Sequence, residues 1–582
     1  MSCYLLPAAV SRPPRPLSQV HNSHSMGPKQ LLSSDDVEAM IADGKTIVIY
    51  ENRVLRLDSW LHKHPGGKKV VFHMVGRDAT DEFNAYHSDE AKDMSRKFQI
   101  GRIEGVWKNF VPPIQGGFFR TKDLIDEAIT FPGGSSSRSS SISSGSSSDD
   151  IRTRYSIIAP KRHDSFGSMT DSEEVQKVTV VSPSVREPPA STELMAEYDR
   201  KLVEHDLEKY PSLDYGTQTD ITNKYRELEA MLRREGHFKC TYWGYGRECV
   251  RYITLGALSY YFLQIKWYLL SATCLGLCWH QLMFTVHDAG HRAITHSFFW
   301  DNIIAGLIAN YMTGLSFGWF KSSHNVHHFV TNDPIHDPDT QQLPFFAVST
   351  KSFSNIFSSY YNRLIEFDAV ARTMVPIQNL TYYPILCFGR FNLHRLSWEH
   401  LLIGESPRQG QAAWVRYYEI IGIIVFWYWY GYLLVYRQLP TISARIGYVL
   451  VCHIATMPLH VQFTLSHFAM STADLGVSES FAQKMLRTTM DVDCPAWLDF
   501  VHGGLQFQAV HHLFPRMPRH NFRAAQKHVI AFCKDIGVEY CIYGFVDGNK
   551  EVLSKLEDIG KQASIMAECT NHMKKEAMSG LI

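Results

Sequence analysis

Apolar and polar positions divide the chain into a polar first third and an apolar middle. Between residues 252 and 286 the only charge is Lys266, and one bilayer crossing takes about 20 residues. The run therefore predicts two short membrane passes turning near Lys266, or one pass and a re-entrant segment. A second apolar block, 298–320 with Asp301 near its start, lies between two histidine-rich stretches. For those stretches to share one side, this block must lie along the interface or dip in and return. Runs at 420–436 and 446–468 predict a further pair, giving about four transmembrane helices. Arg437 and Arg445 would then lie in a lumenal loop, mildly against the positive-inside tendency. Residues 350–400 interleave aromatics such as Phe353, Phe357, Tyr360 and Tyr361 with polar positions. That pattern suits interfacial helices beside a lipid entrance, or equally an ordinary aromatic core.

Before the apolar middle, 29–105 reads as a compact module and 196–250 as a charged, helical, cytosolic pre-membrane segment. Between them, 106–195 is Ser-rich, with the tract Gly133 to Ser141 and then Asp149-Asp150. Such composition buries too little apolar surface to offset its ordering entropy, so this stretch and 1–28 are expected to be disordered. A flexible coil of roughly 90 residues has a reach of roughly 50 Å, enough for the module to visit a site at the membrane. Residues 251–470 form the expected membrane part and 471–582 a cytosolic helical cap. Lys+Arg and Asp+Glu both total 58, leaving no basic excess to attract nucleic acid. The 11 Cys stand singly, an odd count with no C-x-x-C, which implies reduced thiols rather than a disulfide framework. The apolar run Leu5 to Val10 is short, broken by Pro7 and preceded by no basic residue, so the N-terminus is expected in the cytosol.

The chemistry is concentrated in three clusters: His287-Asp288-Ala289-Gly290-His291, His324-Asn325-Val326-His327-His328, and Gln508-Ala509-Val510-His511-His512. Helical side chains three and four apart share a face, so each cluster aims imidazoles in one direction. One such pair is commonly incidental; three in one chain point to a metal site. This many imidazoles with no Cys pattern suits iron better than structural zinc. His453, His460 and His467 lie seven apart on the last predicted pass. His467, at its cytosolic end, is expected to complete the metal shell, whereas His453, His460 and His280 are read as structural. His336, His502 and His520 receive no role.

The module carries Trp60-Leu61-His62-Lys63-His64-Pro65-Gly66-Gly67 and Phe83-Asn84-Ala85-Tyr86-His87-Ser88. A Pro-Gly-Gly turn lets backbone lie against a flat cofactor. This resembles the cytochrome b5 family, and the match places the axial ligands of haem b on His64 and His87. With both axial positions filled, such a haem passes electrons but does not activate O2. His62 and His73 are read as surface residues.

The order H-x3-H, H-x2-HH, Q-x2-HH after a cytochrome b5 module resembles the front-end membrane desaturases, with Gln508 as the discriminating residue. Trp279-His280-Gln281, the first cluster, and Gly503 to Gln508 through Leu513 to Arg519 look most like the Δ8 sphingolipid desaturases, particularly fungal ones. The resemblance implies a multi-domain protein with an α+β haem domain and an all-α integral membrane domain. It implies two non-haem irons held by His287, His291, His324, His327, His328, His511 and His512, with Gln508 as ligand or support and His467 as a weaker addition. Asp288 and Asn325 would orient imidazoles by hydrogen bonds. The implied reaction is O2-dependent insertion of a double bond at C8 of a ceramide long-chain base. Electrons would come from NADH through a separate cytochrome b5 reductase, since no Rossmann fingerprint is evident. The implied setting is the endoplasmic reticulum membrane, with haem domain and boxes cytosolic. The alternatives are a front-end Δ5/Δ6 fatty acyl desaturase, a b5-fused fatty acid hydroxylase, and a non-catalytic haem- or metal-binding membrane protein.

Overall fold

The computed structural model describes residues 30–130, 189–404, 406 and 408–579. Its first part is a four-stranded sheet, β1 (Leu31–Leu32), β2 (Ile47–Tyr50), β3 (Arg53–Arg56) and β4 (Gln99–Ile103), in the order β1-β4-β3-β2. The run Ile47-Val48-Ile49-Tyr50 is β-branched and aromatic, and it is buried along its whole length. Glu51 and Asn52, both at positive φ (48° and 59°), make the two-residue turn into β3. Helix Ser34–Ala42 starts in a reciprocal cap between Ser33 and Asp36. Helices Lys68–Phe72 and Thr80–Tyr86 lead from and into the two histidine loops.

This domain does not end at 105. Trp107, Phe110 and Phe119 pack on its core of Val37, Ile41, Ile47, Ile49 and Val54. Arg120 bonds both carboxylate oxygens of Glu38 (3.0 and 2.9 Å), and helix Lys122–Thr130 continues from there. Three aromatic anchors therefore order a segment that its Gly and Pro content assigns to linker. The Ser-rich tract itself and residues 1–28 lie outside the described residues.

The second part begins with helices Pro189–Lys209 and Tyr215–Arg234, followed by the antiparallel hairpin Tyr242–Gln264 and Tyr268–Gly290. Lys266, at φ 66°, makes the turn. Among the described residues, three helical segments are long and apolar enough to cross a membrane: Tyr268–Gly290, Val415–Gln438 and Ile442–Phe468. Tyr242–Gln264 matches the length but carries Arg247, Glu248 and Arg251. The block after the first cluster is bent by 118° between Phe298–Met312 and Phe317–Phe329, which makes it a broken span or a re-entrant loop. Gly314 permits the bend, because it sits at φ 72° and a Cβ there would lie 2.3 Å from the Phe426 ring. The C-terminal helix Phe545–Ser579 packs along Ile442–Phe468 and the 375–386 region.

The two parts share apolar cores. Ala85 and Tyr86 of the first part join Tyr210, Ile221, Tyr225, Leu513 and Phe514 of the second. Val48, Val70, Val71 and Met74 pack with Val326, Val330 and Tyr360.

Candidate metal centre

All three histidine boxes converge. His287 ends the helix Tyr268–Gly290 and His291 caps it; the second box lies in Phe317–Phe329, and the third in the short buried helix Gln508–Leu513. Two groups form, each with its ligand atoms within 4.8 Å: His287, His291, His324 and His511, then His327, His467 and His512. His328 stands between them, its Nε2 3.0 Å from His324 Nε2 and 3.1 Å from His511 Nε2, its ring stacked at 4.1 Å on His512. The Nε2 atoms of His287 and His324 are likewise 3.0 Å apart.

These spacings fit metal ligation. Two imidazole nitrogens at roughly 2.1 Å from a shared ion and at right angles to each other lie roughly 3 Å apart. The Nε2 atoms of His291 and His512 are buried with no hydrogen-bond partner among the described residues, a costly state that a cation would relieve. Gln508 is buried and lines the cavity beside these rings. His467, the weaker expectation, stands 4.6 Å from His327 and 5.0 Å from His512, ring to ring.

Carboxylates fix the boxes from behind. His327 Nδ1 is 2.8 Å from Asp337 Oδ2, which leaves Nε2 for a metal; Asp337 also accepts the Asn332 N–H at 2.8 Å. Asp491 accepts the Ala509 N–H (2.8 Å) at the start of the third-box helix, and hydrogen bonds from Gln526 and Tyr540. Burial raises its pKa to about 6. Glu419 accepts from Gly318 N (2.6 Å) and Ser316 Oγ (3.0 Å), pinning the start of the second-box helix. Sequence reading missed all three; only Asp337 carried a signal, an acidic residue in a polar loop ten positions after His327.

Two orienting roles differ from expectation. Asp288 Oδ1 is 3.8 Å from His287 Nδ1, and its hydrogen bonds run instead to Tyr245 and to Arg519 Nη1 (2.9 Å). Arg519 also holds Glu248, tying the first box to the segment after the third. Asn325 turns away from the imidazoles, its Nδ2 3.5 Å from the Gly66 carbonyl. His453 stacks on Phe391 at 4.3 Å and His280 meets Phe284 edge to face at 4.9 Å, and neither joins a ligand group. His460 lines the cavity, while His502 and His520 approach Gln462 and Glu248.

In the first part, His64 and His87 face each other with ring centroids 6.0 Å apart. Their Nδ1 atoms engage the carbonyls of Gly67 (2.8 Å) and Phe83 (3.1 Å), an orientation in which both Nε2 atoms could hold a haem iron. Rings on opposite faces of one ion, each bonded at roughly 2.1 Å, hold their centroids roughly 6 Å apart. His73, expected at the surface, is fully buried: Gln115 bonds its Nδ1 at 3.0 Å and His336 lies 5.5 Å away. Gln115 comes from its own part and His336 from the other, neighbours that a local reading of the sequence does not contain.

A cavity of about 690 Å³ opens between exposed Phe345, Arg363, Phe388 and Arg395 and ends at His287, His324, His327 and His467. Its walls mix apolar side chains, such as Met283, Leu315, Phe320, Leu459 and Phe463, with polar ones, such as Asp339, Gln341, Asn392 and Thr464. That volume and lining suit an apolar chain.

Comparison with known proteins gives two family matches, "Fatty acid desaturase" over residues 265–544 and "Cytochrome b5-like Heme/Steroid binding domain" over 33–104. Curated relatives are similar along nearly the whole chain. A Delta 8-(E)-sphingolipid desaturase of Kluyveromyces lactis is 50% identical over 556 residues, covering 94% of this chain and 96% of the relative. Its counterpart in Emericella nidulans is 51% identical over 541 residues (93% and 96%), and that of Candida albicans 47% over 581 (94% and 98%).

Proposed function

The chain belongs to the cytochrome b5-fused fatty acid desaturase family that includes the Delta 8-(E)-sphingolipid desaturases, and from this membership we propose that it inserts an E double bond at C8 of the long-chain base of a sphingolipid. The observation that carries the proposal is the joining of two histidine groups to a cavity that is partly walled by Met283, Leu315, Phe320, Leu459 and Phe463. Two adjacent methylenes give up two hydrogens; one O2, two electrons and two protons complete the balance, yielding two waters.

His287, His291, His324 and His511 would hold one iron, and His327, His467 and His512 the other, with His328 between them and Gln508 at the cavity side. When bound, iron supplies the O2 chemistry that an unactivated C–H bond requires. The protein's own part is to bind and aim. Met283, Leu315, Phe320 and Phe463 hold the chain dry against the imidazoles, and Asp337 keeps the His327 Nδ1 proton so that Nε2 faces inward. The polar mouth residues Gln342, Asn392 and Arg395 would keep the head of the lipid outside, so that position is counted from the polar end.

His64 and His87 would hold haem b, reduced by an NADH-dependent cytochrome b5 reductase. Tyr242–Gln264 serves as a fourth pass beside the three apolar ones, and the bent pair re-enters from one face. In this reading haem domain and boxes would lie together on the cytosolic side of the endoplasmic reticulum membrane.

The test is mass spectrometry of long-chain bases and fatty acids from a yeast lacking Δ8 desaturation that expresses the chain or His511→Ala. An 8-unsaturated base with the intact chain alone is expected. A new unsaturated fatty acid with unchanged bases would overturn the substrate, a hydroxylated lipid the reaction, and no new lipid the activity.

A further inference from the structure

The two loops that carry the axial histidines both rest on the histidine boxes. Asn325, inside the second box, reaches the Gly66 carbonyl of the Pro-Gly-Gly turn. Arg292, directly after the first box, donates from Nη2 to the Tyr86 carbonyl at 3.0 Å, and its backbone adopts φ 57°, a conformation that side-chain-bearing residues rarely take. Arg516, four residues after the third box, donates to the His87 carbonyl at 2.7 Å. Farther out, Arg226 Nε and Asp81 Oδ1 pair at 2.6 Å, with the Asp81 side chain only 10% exposed. The Tyr86 ring enters the second part and lies 5.8 Å from His328, 6.5 Å from His291 and 4.9 Å from Phe329, centroid to centroid. Its hydroxyl is buried and finds no hydrogen-bond partner among the described residues.

We propose that this docked face is the electron-transfer interface of the protein, and that Tyr86, adjacent in sequence to His87 and in ring contact with His328 and His291, is the side chain bridging haem domain and metal centre. The inference rests on the desaturase reading above. Each transfer oxidises the haem by one electron and reduces the metal pair by one; Tyr86 forms and breaks no bond. The bridging element is the ring itself, which closes the gap between His87 and the boxes, while Arg292 and Arg516 set the height of its backbone and the Arg226–Asp81 pair sets the register of the domain. A charge pair across an interface, here with Asp81 buried and the Arg226 side chain 43% exposed, also gives a specific signature, because reversing one partner repels and reversing both restores attraction.

The experiment uses purified full-length holoenzyme with haem and iron loaded. The haem is reduced in advance and mixed with O2 and substrate, and its re-oxidation is followed by absorbance. Arg226→Asp is expected to slow re-oxidation about tenfold or more, and Asp81→Arg/Arg226→Asp to recover most of that loss. Tyr86→Leu is expected to slow it more than Tyr86→Phe, which keeps the ring. Haem content and haem spectrum report folding of the module in each variant. A second readout needs no turnover: spin labels on Glu104→Cys and Lys527→Cys, both exposed positions on opposite parts, should give one narrow distance. That distance should broaden with Arg226→Asp and narrow again with the double swap. Unchanged re-oxidation in both Tyr86→Leu and Arg226→Asp, or a swap that rescues neither rate nor distance, would overturn the proposal. Product formed by the wild-type protein in the same reaction separates that failure from failure of the functional reading.

Discussion

Asp337 shows how much of a metal centre lies outside its ligands. Its carboxylate is fully buried, 2.8 Å from the ring nitrogen that His327 turns away from the metal group, and it also caps the following loop through Asn332 N. Such partners fix ring orientation and ligand basicity, and losing one typically costs 10- to 100-fold in metal affinity or activity, as about that range in other sites indicates. Asp337→Asn should therefore lower iron per chain, read by elemental analysis of purified protein, and lower product by about 10- to 100-fold while haem content stays level. Full iron occupancy with full activity would show that His327 needs no such support. At this scale the sequence was readable where chemistry is local. His287/His291, His324/His327/His328 and His511/His512 stand out because helical spacing alone aims them together. Asp491 and Glu419 do not, because each lies in another segment and meets its box only through the fold.

Among elements, the first-box helix and the segment after the third box are clasped by one buried cation. Arg519 has a side chain 3% exposed and pairs with Asp288 and Glu248, which are 2% and 9% exposed. Removing one partner of a buried charge cluster leaves the others uncompensated, at a cost of about 3–5 kcal/mol. Arg519→Met should sharply lower the thermal unfolding temperature of the detergent-solubilised protein. Adding Asp288→Asn and Glu248→Gln should return part of the loss, because two uncompensated carboxylates then become neutral. Equal destabilisation with and without those changes would mean that Arg519 acts through packing rather than charge. The hairpin at Lys266 was legible because a lone charge interrupts an apolar run, and the bend before the second box because both boxes must share a side. The end of the first domain was not: Trp107, Phe110 and Phe119 are separated by Gly, Pro and polar residues, and their burial depends on a surface formed by residues far earlier.

At the scale of the molecule, the two parts meet over shared apolar cores rather than only through a tether, and His73 reports on that contact. Burial first, then the nearby His336, Lys484, Arg77 and Lys69, lowers its pKa to about 3. Gln115 bonds its Nδ1, while Asp333 acts on the neighbouring His336 and Lys484. Once the parts separate and the ring meets water, its pKa returns toward about 6.5. The separated state therefore binds a proton that the docked state refuses between about pH 6.5 and 3, so docking is full above that window and weakens as pH falls through it, by up to about tenfold per pH unit. Spin labels on Glu104→Cys and Lys527→Cys should keep their narrow distance at pH 7.5 and spread on acidification to pH 5.5. His73→Leu, which has no proton to gain, should hold the narrow distance at both values. A wild-type distance that is unchanged at pH 5.5 would mean that His73 stays dry within its own domain, and that the contact with His336 forms without shielding it.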